Sequence, residues 1–207
     1  MAIMFLDPKE VEEIRGRYVT NGGNCDPRFT EFWDGVEVVS PIPNNEHQEL
    51  VLNLMVPLYD TVRTTGLGRV FPGVNVSDRA GQWEHNYRGP DVVVYLDTNP
   101  AVDHGTHWQG GPDFLIEIAS PGEDPRAKFD FYAKVKTREA LIVNRDPWSI
   151  ELHRLRGKKF VLVGTSELPK SAVLKSHVVP LTFRLVPGKK RPSIEVVHPA
   201  TGKRWAA

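Results

Sequence analysis

Asp91-Val-Val-Val-Tyr-Leu96 and Asp113-Phe-Leu-Ile-Glu-Ile-Ala-Ser120 are short apolar runs, each entered through a Gly and a Pro (Gly89-Pro90 and Gly111-Pro112). Runs of this length, rich in β-branched residues and bounded by Gly and Pro, read as buried strands. The second run carries Glu117 in its apolar centre, where an ionised carboxylate costs several kcal/mol unless something compensates it. Asp91 at the start of one strand and Glu117 within the other could hold a divalent cation between them. Lys128 follows on what reads as a helix.

On either side of this centre the periodicity changes to that of helices. From Asn44 or Asn45 to about Thr64, Leu50, Leu54, Leu58 and Val62, with Val51 and Met55, recur at helical spacing, and Pro57 is a candidate kink. This long helix should cover one face of the sheet. After Ser120-Pro-Gly122, Asp124 can cap a second helix with Pro125 at its first position, running through Phe129, Tyr132 and Val135. Upstream, Asp7-Pro8-Lys9-Glu10 marks a short N-terminal helix that should end before Asn21-Gly-Gly-Asn24, and Asp34-Gly35 between apolar segments marks a hairpin. Arg69–Phe71 and Val74–Val76 add a strand and turn, while polar Thr98–Gly111 reads as a loop. Leu141–Val143, Ser149–Leu152 and Phe160–Val163 read as strands, the last two a hairpin across Arg156-Gly157. The expected architecture is an α/β sandwich around a mixed central β-sheet flanked by helices, with extra C-terminal strands. It forms a single domain over 1–207: an N-terminal helix and hairpin in 1–40, the core in 44–145 and peripheral strands in 148–207.

Composition bounds the function. The 207 residues are enough for one sizeable core and short for two. The 26 basic and 26 acidic residues balance, so the chain as a whole has no bias toward nucleic acid or membranes, and a polyanion would have to meet a local basic patch. The single cysteine, Cys25, excludes an internal disulfide and a multi-cysteine zinc site. Met1–Leu6 is too short for a signal peptide, and no apolar run approaches membrane-spanning length. A soluble cytoplasmic protein with no membrane partner is expected.

Hydrolysis of a phosphodiester needs an in-line nucleophile and something to neutralise charge on the phosphoryl oxygens and leaving group. Asp91 and Glu117 as oxygen ligands of magnesium or manganese would meet the second need, and Lys128 could orient water or steady the phosphate. Their separation in sequence, 117 − 91 = 26, leaves room for a loop that returns the chain to a neighbouring strand. The same residues also fit a plain scaffold: Asp91 simply starts a strand, and Glu117 pairs with Arg88, Lys128 or Arg145. Asp113 after Pro112 imitates Pro90-Asp91 and would share the strand face of Glu117 in a regular run.

Pro90-Asp91, then Phe114-Leu-Ile-Glu-Ile-Ala-Ser-Pro121, then Asp124, Lys128 and Tyr132 at four-residue steps, resemble the Uma-two family of restriction-endonuclease-like proteins in the PD-(D/E)XK nuclease superfamily. Asp34-Gly35, the Pro-rich turn before His47 and Pro199-Ala-Thr-Gly202 extend the resemblance over nearly the whole chain. The resemblance implies a restriction-endonuclease-like core and a magnesium- or manganese-dependent endodeoxyribonuclease acting on DNA as a homodimer. By it, Asp91 is the acid of the PD motif, Glu117 that of the (D/E)XK motif, and the Ile118 carbonyl a further metal ligand. The usual lysine position holds Ala119, and the resemblance moves that lysine to the following helix as Lys128. It also favours His47 as an auxiliary site residue, with Glu49 a candidate; without it, both read as solvated first-turn residues.

Ala119 and the neutral net charge equally fit a nuclease-like binding or assembly module without catalysis. A hydrolase of another phosphoester is a third possibility. His104 and His107 read as parts of a solvated loop. Of the basic clusters, Lys134-Lys136-Arg138 lies closest in sequence to the proposed site; the others are Arg154-Arg156-Lys158-Lys159 and Lys189-Lys190-Arg191.

Overall fold

A computed structural model describes residues 3–5, 30–40, 42–120 and 122–207. The helix expected after Asp7, the Asn21–Asn24 turn, Cys25 and Pro121 lie outside them. In chain order the first strands are β1 (Ile3–Phe5), β2 (Thr30–Trp33), β3 (Val36–Val39), β4 (Gly68–Pro72), β5 (Val76–Ser77) and β6 (Tyr87–Arg88). Next come β7 (Val92–Leu96), β8 (Val102–Asp103), β9 (Trp108–Gln109), β10 (Phe114–Ile118), β11 (Glu139–Arg145) and β12 (Trp148–Arg156). The last are β13 (Lys159–Glu167), β14 (Leu174–Lys175), β15 (Thr182–Val186), β16 (Ser193–Val197) and β17 (Arg204–Ala206). Among the described residues the α-helices are α1 (Asn45–Leu58) and α2 (Phe129–Lys134). None among the described residues is long and apolar enough to cross a membrane.

The two quoted runs are the centre of a six-stranded sheet ordered β13-β12-β11-β10-β7-β4. β7 and β10 pair antiparallel, Val94 opposite Phe114 and Val92 opposite Ile116, and β10 pairs parallel with β11. A parallel pair needs a crossover, and the segment carrying α2 supplies it. That crossover sets Lys128 and Tyr132 over the sheet face that Glu117 shares. Val92, Val94, Phe114 and Ile116 are fully buried, each such side chain contributing about 1.5–3 kcal/mol. They pack with Leu50, Leu54 and Leu58 of α1 on one face, while Val93, Tyr95 and Leu115 pack with Phe131 and Tyr132 of α2 on the other. The fold is thus α/β, with a mixed central sheet between helices.

Local signals set the elements much as the residues dictate. The Asn44 side chain accepts the His47 N–H at 2.9 Å and caps α1. Pro57 does not end that helix. It lacks an N–H, the next residues regroup into a π-helical turn over Tyr59–Arg63, and Thr61 Oγ1 donates to the Pro57 carbonyl at 2.6 Å. Asp34 and Gly35 both take positive φ, 50° and 88°, as a two-residue hairpin loop requires. Asp124 accepts the Arg126 N–H at 3.0 Å, with Pro125 leading a 3₁₀ turn, Pro125–Lys128, into α2.

Residues 148–207 are not peripheral. β12 and β13 extend the central sheet, with Ile150 and Leu152 fully buried, and β14–β17 form a four-stranded sheet whose Phe183, Leu185, Ile194 and Val196 complete the core on the α1 face. The division at residue 145 fails because alternating strands look alike whether they border a sheet or cover a core. Glu139 ties the two sheets: it accepts Arg154 Nε at 2.7 Å, Ser176 Oγ at 2.6 Å and the His177 N–H at 3.1 Å. The 98–111 segment is also more ordered than a solvated loop. It contains β8 and β9, and His107 is buried, its ring stacked 4.8 Å from Trp83 and 4.8 Å from exposed His104.

Candidate active site

One step beyond the Val92–Ile116 pair, the antiparallel register sets Asp91 against Glu117. Directly opposed residues project to the same face. Asp91 is fixed from two sides: the Ile118 N–H donates to Oδ2 at 2.7 Å, and His47 Nε2 lies 3.2 Å from Oδ1. Glu117, 4% exposed, accepts the Tyr132 hydroxyl proton, and its carboxylate lies 3.3 Å from Lys128 Nζ. Asp91, Glu117, Ile118, His47 and Lys128 all line one cavity of about 240 Å³.

Sequence reasoning missed two acids that line the same cavity, Glu31 and Glu123. Glu31 is 6% exposed, and its Oε1 receives Lys128 Nζ at 2.9 Å and the Gly89 N–H at 2.8 Å, while Trp33 Nε1 donates to Oε2 at 2.7 Å. The hairpin that supplies Glu31 was legible from Asp34-Gly35. Its arrival at Lys128, 97 residues away, had no signal in the chain.

Other expected residues fall elsewhere. Asp113 shares the face of Glu117 but sits at the opposite end of β10, where it accepts the Leu96 N–H at 2.9 Å, Asn99 Nδ2 at 2.7 Å and Arg138 Nη1 at 3.1 Å. It is a scaffold acid. Asp113→Ala leaves the Leu96 N–H without its acceptor and is expected to lower stability by about 1–3 kcal/mol in chemical denaturation. A variant as stable as wild type would contradict that scaffold role. Glu49, 62% exposed, does not line the cavity and lies 3.6 Å from Arg191. In the basic cluster nearest in sequence, Lys134 pairs with Asp78 and Arg138 with Asp113, both acids outside the cavity. Arg191 instead meets Glu46 and Glu49, which sets the Lys189-Lys190-Arg191 turn beside the first turn of α1 and the cavity wall formed by His47 and Gln48.

Burial, reinforced by Asp91 and Glu31 and opposed by Lys128 and Tyr132, pushes Glu117 up to about 8. Burial opposes the charge on Lys128, but Glu117, Glu31 and Glu123 outweigh it and hold the ammonium protonated. Burial also opposes ionisation of Glu31, and Lys128 with its other donors brings it below the ordinary carboxylate range. The raised Glu117 has a consequence for stability. The folded state binds its proton more tightly than the unfolded chain, so its contribution is complete below the ordinary 4.5 and is lost as pH rises through about 8. Glu31 works in the opposite sense, its share being lost on acidification. Melting in chelator should therefore fall from pH 5 to pH 8 less steeply in Glu117→Gln than in wild type. Identical slopes would contradict the buried, destabilised carboxylate.

Two carboxylates and a backbone carbonyl suit a hard cation that keeps part of its water, as magnesium does. Among the described residues no group of three or more His, Cys, Asp or Glu side chains could hold a metal ion, so a cation here would rely on water for its remaining ligands.

No curated protein matches the chain. Among solved structures, the crystal structure titled as "a putative nuclease belonging to DUF820" from Anabaena variabilis is similar, with a TM-score of 0.57 and 16% identity over 71% of this chain and 80% of that one. At that identity the likeness speaks for the fold. A family model described as "Putative restriction endonuclease" matches residues 24–185 and so spans both strands, both helices and every residue of the cavity. By that match the chain belongs to the Uma2 family.

Proposed function

We propose that this chain is a metal-dependent endodeoxyribonuclease of the PD-(D/E)XK type, centred on Asp91, Glu117 and Lys128. One observation carries the reading: two acids opposed across an antiparallel strand pair, with a buried lysine 3.3 Å from one of them, in a single cavity. The family description supports DNA as the substrate. Asp91, Glu117 and the Ile118 carbonyl would hold magnesium or manganese. Bound there, the cation would offset charge on the phosphoryl oxygens and acidify the attacking water.

The protein groups have separable tasks. His47 and the Ile118 N–H fix the Asp91 carboxylate. Tyr132 and Lys128 fix Glu117. Lys128, held protonated, acts as a hydrogen-bond donor, so it positions water or a phosphate oxygen and does not accept a proton from it. A second reading, a nuclease-like module that binds without cutting, draws on the same lysine: it donates to Glu31 and Glu117, and Ala119 stands at the usual lysine position. Nicking of supercoiled plasmid with magnesium, with manganese and with chelator separates them. Metal-dependent nicking supports the nuclease; manganese binding without nicking on varied DNA favours the module.

A further inference from the structure

Lys128 is shared. Its Nζ lies 2.9 Å from Glu31 Oε1 and 3.3 Å from the Glu117 carboxylate, and all three side chains are almost wholly buried. Glu31 is itself anchored by the Gly89 N–H and Trp33 Nε1, so its oxygens are fixed independently of the lysine. Gly89 directly precedes Pro90-Asp91, so the same hydrogen bond joins the β2–β3 hairpin to the segment that carries Asp91.

A buried ammonium takes the nearest and strongest carboxylate available. If its only partner were Glu117, it would close on that carboxylate and compete with a cation for the same oxygens. With Glu31 fixed on the other side, at the shorter of the two distances, the ammonium is drawn away from Glu117.

Resting on the nuclease reading, we propose that Glu31 is a positioning residue that holds Lys128 off Glu117 and thereby sets the cation affinity of the Asp91–Glu117 site. In this role Glu31 acts through Lys128, whose Nζ it holds at 2.9 Å. A purely structural Glu31 would change stability without changing how tightly the folded protein binds a cation.

The test is a double-mutant cycle read by calorimetric titration of manganese alone, without DNA. Glu31→Gln keeps the shape and the acceptor for Gly89 but removes the charge. It is expected to weaken manganese binding about tenfold, as loss of an outer partner of a ligand does. In a Lys128→Met background the same change should have far less effect, because the competitor is gone. Glu31→Asp, which keeps the charge but withdraws the oxygen by one methylene, should give an intermediate loss and serves if Glu31→Gln folds poorly. An equal weakening in both backgrounds would overturn the proposal, since that is the signature of a simple field effect. Unchanged binding in Glu31→Gln and Glu31→Asp would overturn it too, and would leave the nuclease reading standing if wild type nicks plasmid. A wild type that neither binds manganese nor nicks overturns both.

Discussion

Asp91→Ala is expected to leave plasmid nicking at least about a thousandfold below wild type in magnesium or manganese, equivalent to losing about 4 kcal/mol of transition-state stabilisation. The size follows from what one carboxylate does here. It is the partner of the Ile118 N–H and of His47, and it opposes Glu117 across the strand pair. Removing it takes away one of the two proposed acidic ligands and frees the two groups that orient it. Its side chain is 20% exposed at the cavity, so the loss in stability should be small beside the loss in activity. A separate melting curve isolates the two effects. Residual nicking within about tenfold of wild type, a loss of only about 1.4 kcal/mol, would be too little for a metal ligand and would remove Asp91 from that role.

Lys128→Met should be the most destabilising single change in the cavity. It leaves Glu31 and Glu117, both buried, facing each other without a cation. Removing one member of a buried ion pair typically costs about 3–5 kcal/mol, whereas replacing the whole set by neutral groups of similar shape is often nearly neutral. For a chain of this length each kcal/mol corresponds to about 2–4 °C in melting temperature. The triple replacement Lys128→Met, Glu31→Gln, Glu117→Gln should therefore recover most of what Lys128→Met loses. Stability of the single variant should also rise on acidification, because two unpaired buried acids take up protons more readily folded than unfolded. A melting temperature equal to wild type at pH 8 would mean that the three groups do not form the buried network seen here.

Much of this site was legible residue by residue. Pro90-Asp91 and the apolar run around Glu117 gave the strands and the two acids, because β-branched residues between Gly and Pro have few other conformations open to them. Asp124-Pro125 gave the start of the segment that carries Lys128. His47, which reads as a solvated first-turn residue without the family resemblance, is buried against Asp91 because the Asn44 cap fixes where α1 begins. Asp113 and Asp91 are indistinguishable as Pro-Asp pairs. The antiparallel register separates them, setting one against Glu117 and the other four residues away at the far end of β10.

The sequence by itself determined the two central strands, the Asn44 and Asp124 caps, the Asp34-Gly35 turn and the candidate acids Asp91 and Glu117, since each depends on neighbours within a few positions of the chain. Only the tertiary structure decided that β12 and β13 join the central sheet, that Glu139 ties the C-terminal sheet to it, and that Lys128 is divided between Glu117 and Glu31. Those outcomes rest on register and on burial. Strand alternation is the same at an edge as beside a core, and the partner of a buried charge is whichever opposite charge the packed chain brings within about 3 Å, however far away it is in sequence.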